Sequence, residues 1–157
     1  MPAPRERGAR TADALAMLAT PAIDVWVATA STAGAPYLVP VSLAWVEERV
    51  VIAVERTSRT ARNLGAGGVA RLAIGPTRDV VMIDAVLERA VDVEDEASLG
   101  EAYTAQADWD PRNSSGYVFL VLRPVRVQAW REVDEMQGRT LMRDGTWLTM
   151  TNTRETR

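Results

Sequence analysis

Thr57, Ser58, Arg59, Thr60, Ala61, Arg62 and Asn63 follow the apolar run from Val50 to Val54, so a strand hands hydroxyls and guanidinium groups to the start of a helix. Such a segment suits an anion. The first backbone N–H groups of a helix have no partner within it, and the helix dipole favours negative charge there by a few tenths to about 1 kcal/mol. Hydroxyls and arginine forks match phosphate oxygens. The plainer reading of the same residues is that Thr57 or Ser58 caps the helix while Arg59 and Arg62 stay solvated. Arg56, Arg59 and Arg62 recur every three residues, which makes them neighbours if the helix reaches back that far. A polyanion can lie along that row. The alternative is three arginines paired with Glu55 or other surface acids, each pair worth little.

Composition narrows the chemistry sharply. The 157 residues contain no cysteine, no histidine and no lysine. Without cysteine there is no disulfide, thiolate nucleophile or iron–sulfur ligand, and without histidine the commonest general base and haem ligand are gone. Without lysine no Schiff base forms. A metal would rest on carboxylates and carbonyls, and no calcium-loop spacing occurs, so no metal site is expected. A demanding reaction here needs an organic cofactor. All eighteen basic residues are arginine, against 21 acids, for a net charge of −3. That balance argues against a nucleic-acid partner. No apolar run is long enough to cross a bilayer, and the polar start Met1 to Arg7 has no apolar segment behind it, so a cytoplasmic protein is expected.

The elements that position these residues follow from periodicity. Thr11 to Ala19 predicts a short helix capped by Thr11 and stopped by Pro21. Strands are expected at 25–30, 36–46 and 50–55, joined by turns too short for parallel crossovers, with Pro40 at an edge or bulge. A helix from Ser58 breaks at Gly65 to Gly68, and strands follow at 69–74 and 79–93. Glu94, Asp95 and Glu96 open a helix through Ala107, and strands at 117–122 and 125–130 flank Pro124. Asp144-Gly145 signals a turn, and residues 151–157 read as a frayed tail. The result is one domain, 1–157, mainly β: a closed or nearly closed antiparallel barrel with short helices.

In this order of elements, several segments resemble the pyridoxamine 5′-phosphate oxidase-like split barrels. They are Gly34-Ala35-Pro36-Tyr37 leading into Val39-Pro40-Val41-Ser42, the Ser58-Arg59-Thr60-Ala61 turn, Arg78-Asp79-Val80-Val81, Asp108 to Arg112, Ala129-Trp130-Arg131-Glu132 and Gly138-Arg139. The likeness covers most of the chain. It implies a six-stranded antiparallel FMN-binding split barrel, a homodimer with the cofactor in a groove between subunits, and oxidoreduction of a small organic substrate. FMN is the implied cofactor, with the deazaflavin F420 as the alternative, and a cofactor carrier without turnover is a further reading.

Carried onto this chain, the resemblance implies phosphate contacts from Ser58, Arg59 and Thr60, with Arg62 and Asn63 alongside. Val41, Ser42, Ala53 and Val54 would flank the ring system. Asp79 falls where the oxidases carry a ring-contacting glutamine, although pairing with Arg78 or Arg71 is an equally chemical use for it. Trp130 and Arg139 match an aromatic and an arginine that reach the cofactor, in some members from the second subunit. No catalytic acid or base is implied. The chain departs from the oxidases proper at Val39 and Ala44, which replace an arginine and a lysine, at Thr60, which replaces a lysine, and at Asp84, which often is glycine. Oxidation of pyridoxamine phosphate itself is therefore not expected.

Overall fold

The computed structural model describes residues 3–148. Strand β1 (Asp24–Ala30) buries Val25, Val27 and Thr29 and exposes Asp24, Trp26 and Ala30, the period of two of a sheet with one face on a core. β2 (Pro36–Val46) and β3 (Arg49–Glu55) form a hairpin in which Glu47 and Glu48 both have positive φ, 49° and 60°. A turn of that hand matches the twist of its strands. β4 (Val69–Ile74), β5 (Val80–Asp92) and β6 (Tyr117–Trp130) continue the sheet in the order β3-β2-β1-β4-β5-β6, and β3 pairs with β6 to close it. The molecule is a six-stranded antiparallel barrel. β7 (Thr140–Arg143) and β8 (Thr146–Trp147) extend it beyond β6 around the Asp144-Gly145 turn.

Helix α1 (Arg7–Leu18) packs on β6 and β7, α2 (Arg59–Gly67) on β1, β2 and β3, and α3 (Ala97–Ala107) chiefly on β2. The barrel interior holds Leu43, Val50, Ile52, Leu72, Ile83 and Leu122, all fully buried. A second core under α3 joins Ala44, Val51, Tyr103 and Phe119. β3 supplies both cores from alternate positions, which is why its sequence is apolar throughout rather than alternating. Burial of each such side chain stabilises the fold by about 1.5 to 3 kcal/mol.

Several sequence expectations shift. The first helix starts at Arg7, not Thr11, whose hydroxyl instead donates to the Arg7 carbonyl one turn back at 3.0 Å, a common use of threonine inside a helix. The third helix starts at Ala97 because residues 92–95 close a turn of their own, the Asp95 N–H donating to the Asp92 carbonyl at 2.9 Å, while the Glu96 carboxylate is taken by Arg89 and makes no cap bond. The two strands expected around Pro124 are one strand. Pro124 lies opposite Ala85 beside a register shift, where neither β3 nor β7 pairs with it, so its missing N–H breaks no ladder. Pro40 pairs with β1 on a stretch that β3 does not reach, an edge position as expected. The expected frayed tail at 151–157 lies outside the described residues.

Candidate functional site

The ladder between β2 and β3 covers only Leu43–Val46 and Arg49–Ile52. Residues 36–42 pair with β1 alone and residues 53–55 with β6 alone, so the two strands part into a cleft. Val41, Ser42, Ala53 and Val54 line the parting strands. Val54 belongs to the barrel core and Ala53 to the core under α3, while Val41 and Ser42 are half-buried. Helix α2 covers this opening through its buried face, Thr60, Asn63 and Leu64. The Asn63 amide donates to Thr29 Oγ1 on β1 at 3.0 Å, which ties the helix to the barrel wall.

Tyr103, a residue that sequence reasoning passed over, closes the inner end of the cleft. Its hydroxyl donates to the Ser42 carbonyl at 3.4 Å, with the Ala53 backbone and the Trp109 indole as further partners. Burial pushes its pKa up to about 12. The hydroxyl stays protonated and bridges the two strands where their own ladder ends. The aromatic grouping of Tyr103, Trp109, Tyr117 and Phe119 around it was the only signal in the sequence, and it is spread over α3, the loop after it and β6.

At the N-terminus of α2, Ser58 is the cap and its Oγ accepts from the Ala61 N–H at 3.2 Å. That leaves its hydroxyl hydrogen for another acceptor. Arg59 is exposed and its guanidinium lies over the Tyr37 ring, 5.2 Å from the centroid. The stack orders the charge without neutralising it. Arg62 is also exposed, whereas Thr60 and Asn63 are 2% and 7% exposed. The surface of this turn therefore presents Ser58, Arg59 and Arg62. Arg56 does not extend the row, because it precedes the helix and pairs with Asp92.

Asp79, Trp130 and Arg139 form a second group. Arg139 lies over the Trp130 ring, 5.6 Å from its centroid, and donates to the Met136 carbonyl at 3.4 Å. Asp79 pairs with neither Arg78 nor Arg71. Those two are held by Glu132 and Asp84, and Asp79 instead faces Arg131 at 3.4 Å and Arg5 at 3.8 Å. Beneath it Glu135 accepts from Arg5 Nε at 2.9 Å, Arg5 Nη2 at 2.8 Å and the Arg131 N–H at 2.9 Å. These bonds, led by the Arg5 side chain, pull the Glu135 pKa down to about 2.

Within one chain the two groups do not adjoin. β6 begins beside the cleft, with Val118 opposite Val54, and ends at Trp130, opposite Val80. From 118 to 130 is roughly 40 Å of extended strand.

The family model described as pyridoxamine 5′-phosphate oxidase matches residues 14–131. Among solved structures, an F420 reductase superposes with a TM-score of 0.60 at 18% identity, over 71% of this chain and 93% of that one. A heme-binding protein from Mycobacterium smegmatis gives 0.62 at 22% identity, over 88% of this chain and 57% of that one. A protein from Listeria innocua described as a putative pyridoxamine 5′-phosphate oxidase gives 0.58 at 13% identity, over 77% and 98%. At these identities the structural matches speak for the fold. No curated protein sequence matches the chain significantly.

Proposed function

The chain belongs to the pyridoxamine 5′-phosphate oxidase family, whose model matches residues 14–131, and from that premise we propose that it is an FMN-dependent oxidoreductase acting as a homodimer on a small organic substrate. F420 is the alternative cofactor. The observation that carries the reading is the solvent-facing set at the start of α2, with the Ser58 cap and the Arg59 guanidinium ordered over Tyr37. Its donor chemistry fits a phosphate: a hydroxyl, two arginine forks and the first N–H groups of a helix.

When bound, the flavin ring supplies the hydride acceptor or donor, so the absence of histidine, lysine and cysteine is no obstacle. The chain's own part is to bind and orient. Arg59 and Arg62 neutralise the phosphate, while the parted strands around Val41, Ser42, Ala53 and Val54 offer a wall beside the ring. Tyr103 holds that wall at a fixed width. Asp79, Trp130 and Arg139 reach the same ligand only from a second subunit, given their place at the far end of β6.

The exposed pair Arg59 and Arg62 gives F420 its support, since a cofactor with a phosphate and an oligoglutamate tail rewards more than one cation. A carrier that holds cofactor without turnover is the remaining reading, and the likeness to a heme-binding protein keeps it in view. Titration with FMN and with F420 decides among them. Arg59→Ala is expected to weaken binding of the native cofactor about 10- to 100-fold, the scale of one charged hydrogen bond. Unchanged affinity would overturn the assignment of this turn. Bound flavin that neither nicotinamide donors nor reduced F420 reduce would favour the carrier.

A further inference from the structure

Two sides of opposite charge meet at the turn before α2. On one stand Arg59 and Arg62, exposed and outside every ion pair among the described residues. On the other, a cavity of about 470 Å³ opens where the Arg56 N–H donates to the Gly116 carbonyl at 2.8 Å and Glu55 pairs with Tyr117. Asp92 at the end of β5, Glu94 and Asp95 in the turn after it, and the cations Arg56 and Arg112 line that cavity.

Both cations are already paired. Arg112 donates to the two oxygens of Asp110, Nε to Oδ1 and Nη2 to Oδ2, each at 2.9 Å. Its stem is fixed as well, lying so close to Gly100 of α3 that a Cβ there would come within 2.9 Å of Arg112 Cδ. Arg56 pairs with Asp92, and the two side chains are 57% and 47% exposed. A pair so open adds little to stability. Its effect falls on charge, because Arg56 is neutralised where the arginine row would otherwise continue toward the cavity. Glu94 and Asp95 enter no ion pair among the described residues, and Glu101 adds a further negative charge near Arg112. The cavity side of the turn is therefore acidic, and the helix side is basic.

A ligand with one phosphate at the start of α2 meets Arg59 and Arg62 and leaves the cavity side alone. An anionic tail that runs on past Arg56 meets Asp92, Glu94 and Asp95, and a like charge at 4 Å costs about 1 kcal/mol even in water. We propose that Asp92 is a specificity-determining residue: by neutralising Arg56 and facing the cavity, it restricts this turn to a ligand with a single phosphate, FMN, and turns away one that trails a chain of carboxylates, F420. The inference rests on the flavin reading and chooses between its two cofactors.

Fluorescence titration of the full chain with FMN and with F420 at low salt tests it. The wild type is expected to bind FMN at least about tenfold more tightly than F420. Asp92→Asn removes a charge and releases Arg56, so F420 affinity should rise about tenfold, the scale of one charged hydrogen bond, while FMN affinity stays within about twofold. Adding Arg56→Ala to Asp92→Asn should take most of that gain away, and so should about 0.5 M salt. The thermal midpoint of Asp92→Asn should move by no more than about 3 °C, since only an exposed pair is lost. Arg59→Ala separates the two readings. If it weakens FMN binding while Asp92→Asn leaves F420 affinity at the wild-type level, the specificity proposal falls and the flavin site stands. If the folded protein binds neither cofactor, or binds FMN regardless of Arg59, the turn is not the flavin site and both fall. A wild-type affinity for F420 that equals or exceeds that for FMN would also overturn the proposal.

Discussion

Glu135 shows how one side chain can hold two distant parts of the molecule. It is 3% exposed and its bonds to Arg5 span 130 residues of sequence, joining the segment before α1 to the turn after β6. Its pKa falls from the ordinary 4.5 to about 2 on folding, chiefly through the Arg5 side chain. The folded state therefore binds fewer protons than the unfolded state, and the gain is complete above about pH 4.5. It is lost as pH falls from there toward 2. Glu135→Gln should cost about 2 to 4 kcal/mol at pH 7, because it breaks a buried charged pair. In urea unfolding the deficit should shrink steadily below pH 4.5, and a deficit that stays constant to pH 3 would refute the linkage. Nothing local marks Glu135 in the sequence, where it is one acid among Glu132, Asp134 and Glu135. The Ser58 turn was legible because cap, charge and helix start lie within a few residues. Tyr103 was not, because its role depends on a gap between strands that local patterns do not encode.

At the scale of elements, the turn between β4 and β5 tests how closely its own backbone is folded. Gly75 has φ of +86°, and a Cβ there would lie 2.5 Å from the Asp79 carbonyl oxygen and 2.9 Å from Met17 Sδ on α1. Gly75→Ala thus combines a left-handed alanine with a backbone clash, and is expected to cost about 2 to 4 kcal/mol. Gly34 has a similar φ of +81° but open space around it. Gly34→Ala should therefore cost only about 1 kcal/mol, the conformational part alone. Thermal midpoints of the two variants check this, and equal losses would mean that the Asp79 carbonyl gives way to the added methyl at little cost. Most elements were legible because alternation and turn residues are local: β2 and β4 run over the expected residues, Pro36–Val46 and Val69–Ile74. The misses have a common cause. The start of α1, the start of α3 and the continuity of β6 through Pro124 depend on partners outside the element itself: Arg10 bonded to the Glu135 carbonyl, Glu96 taken by Arg89 seven residues back on β5, and a register shift against β5.

Taken whole, the barrel leaves one apolar face without cover in the single chain. Trp26, Leu38 and Val69 are 49%, 59% and 61% exposed, and they stand on the outer side of β1, β2 and β4. The register sets Trp26 between Pro40 and Ala73, and Leu38 beside Ala28 with Arg71 next across the sheet. Arg71, paired with Asp84, lies in the row between Trp26 and Val69, and large exposed apolar side chains gathered around a charged pair are common at subunit contacts. The proposed dimer gives it an occupant, and it also meets the need set by β6, whose far end carries Trp130, with Arg139 stacked on it, away from α2. Trp26→Glu with Leu38→Glu removes two large buried side chains per subunit and sets carboxylates against each other. With about 1.5 to 3 kcal/mol for each apolar side chain, the dissociation constant should rise at least about 100-fold. Sedimentation should find the wild-type chain at twice its 17.2 kDa mass and the variant at that mass. Flavin affinity should fall in parallel, although neither substitution touches Ser58 or Arg59, because the ligand loses the residues supplied across the contact. A wild-type protein that sediments as a monomer at micromolar concentration and still binds cofactor would place the whole site within one chain, leaving Asp79, Trp130 and Arg139 outside it.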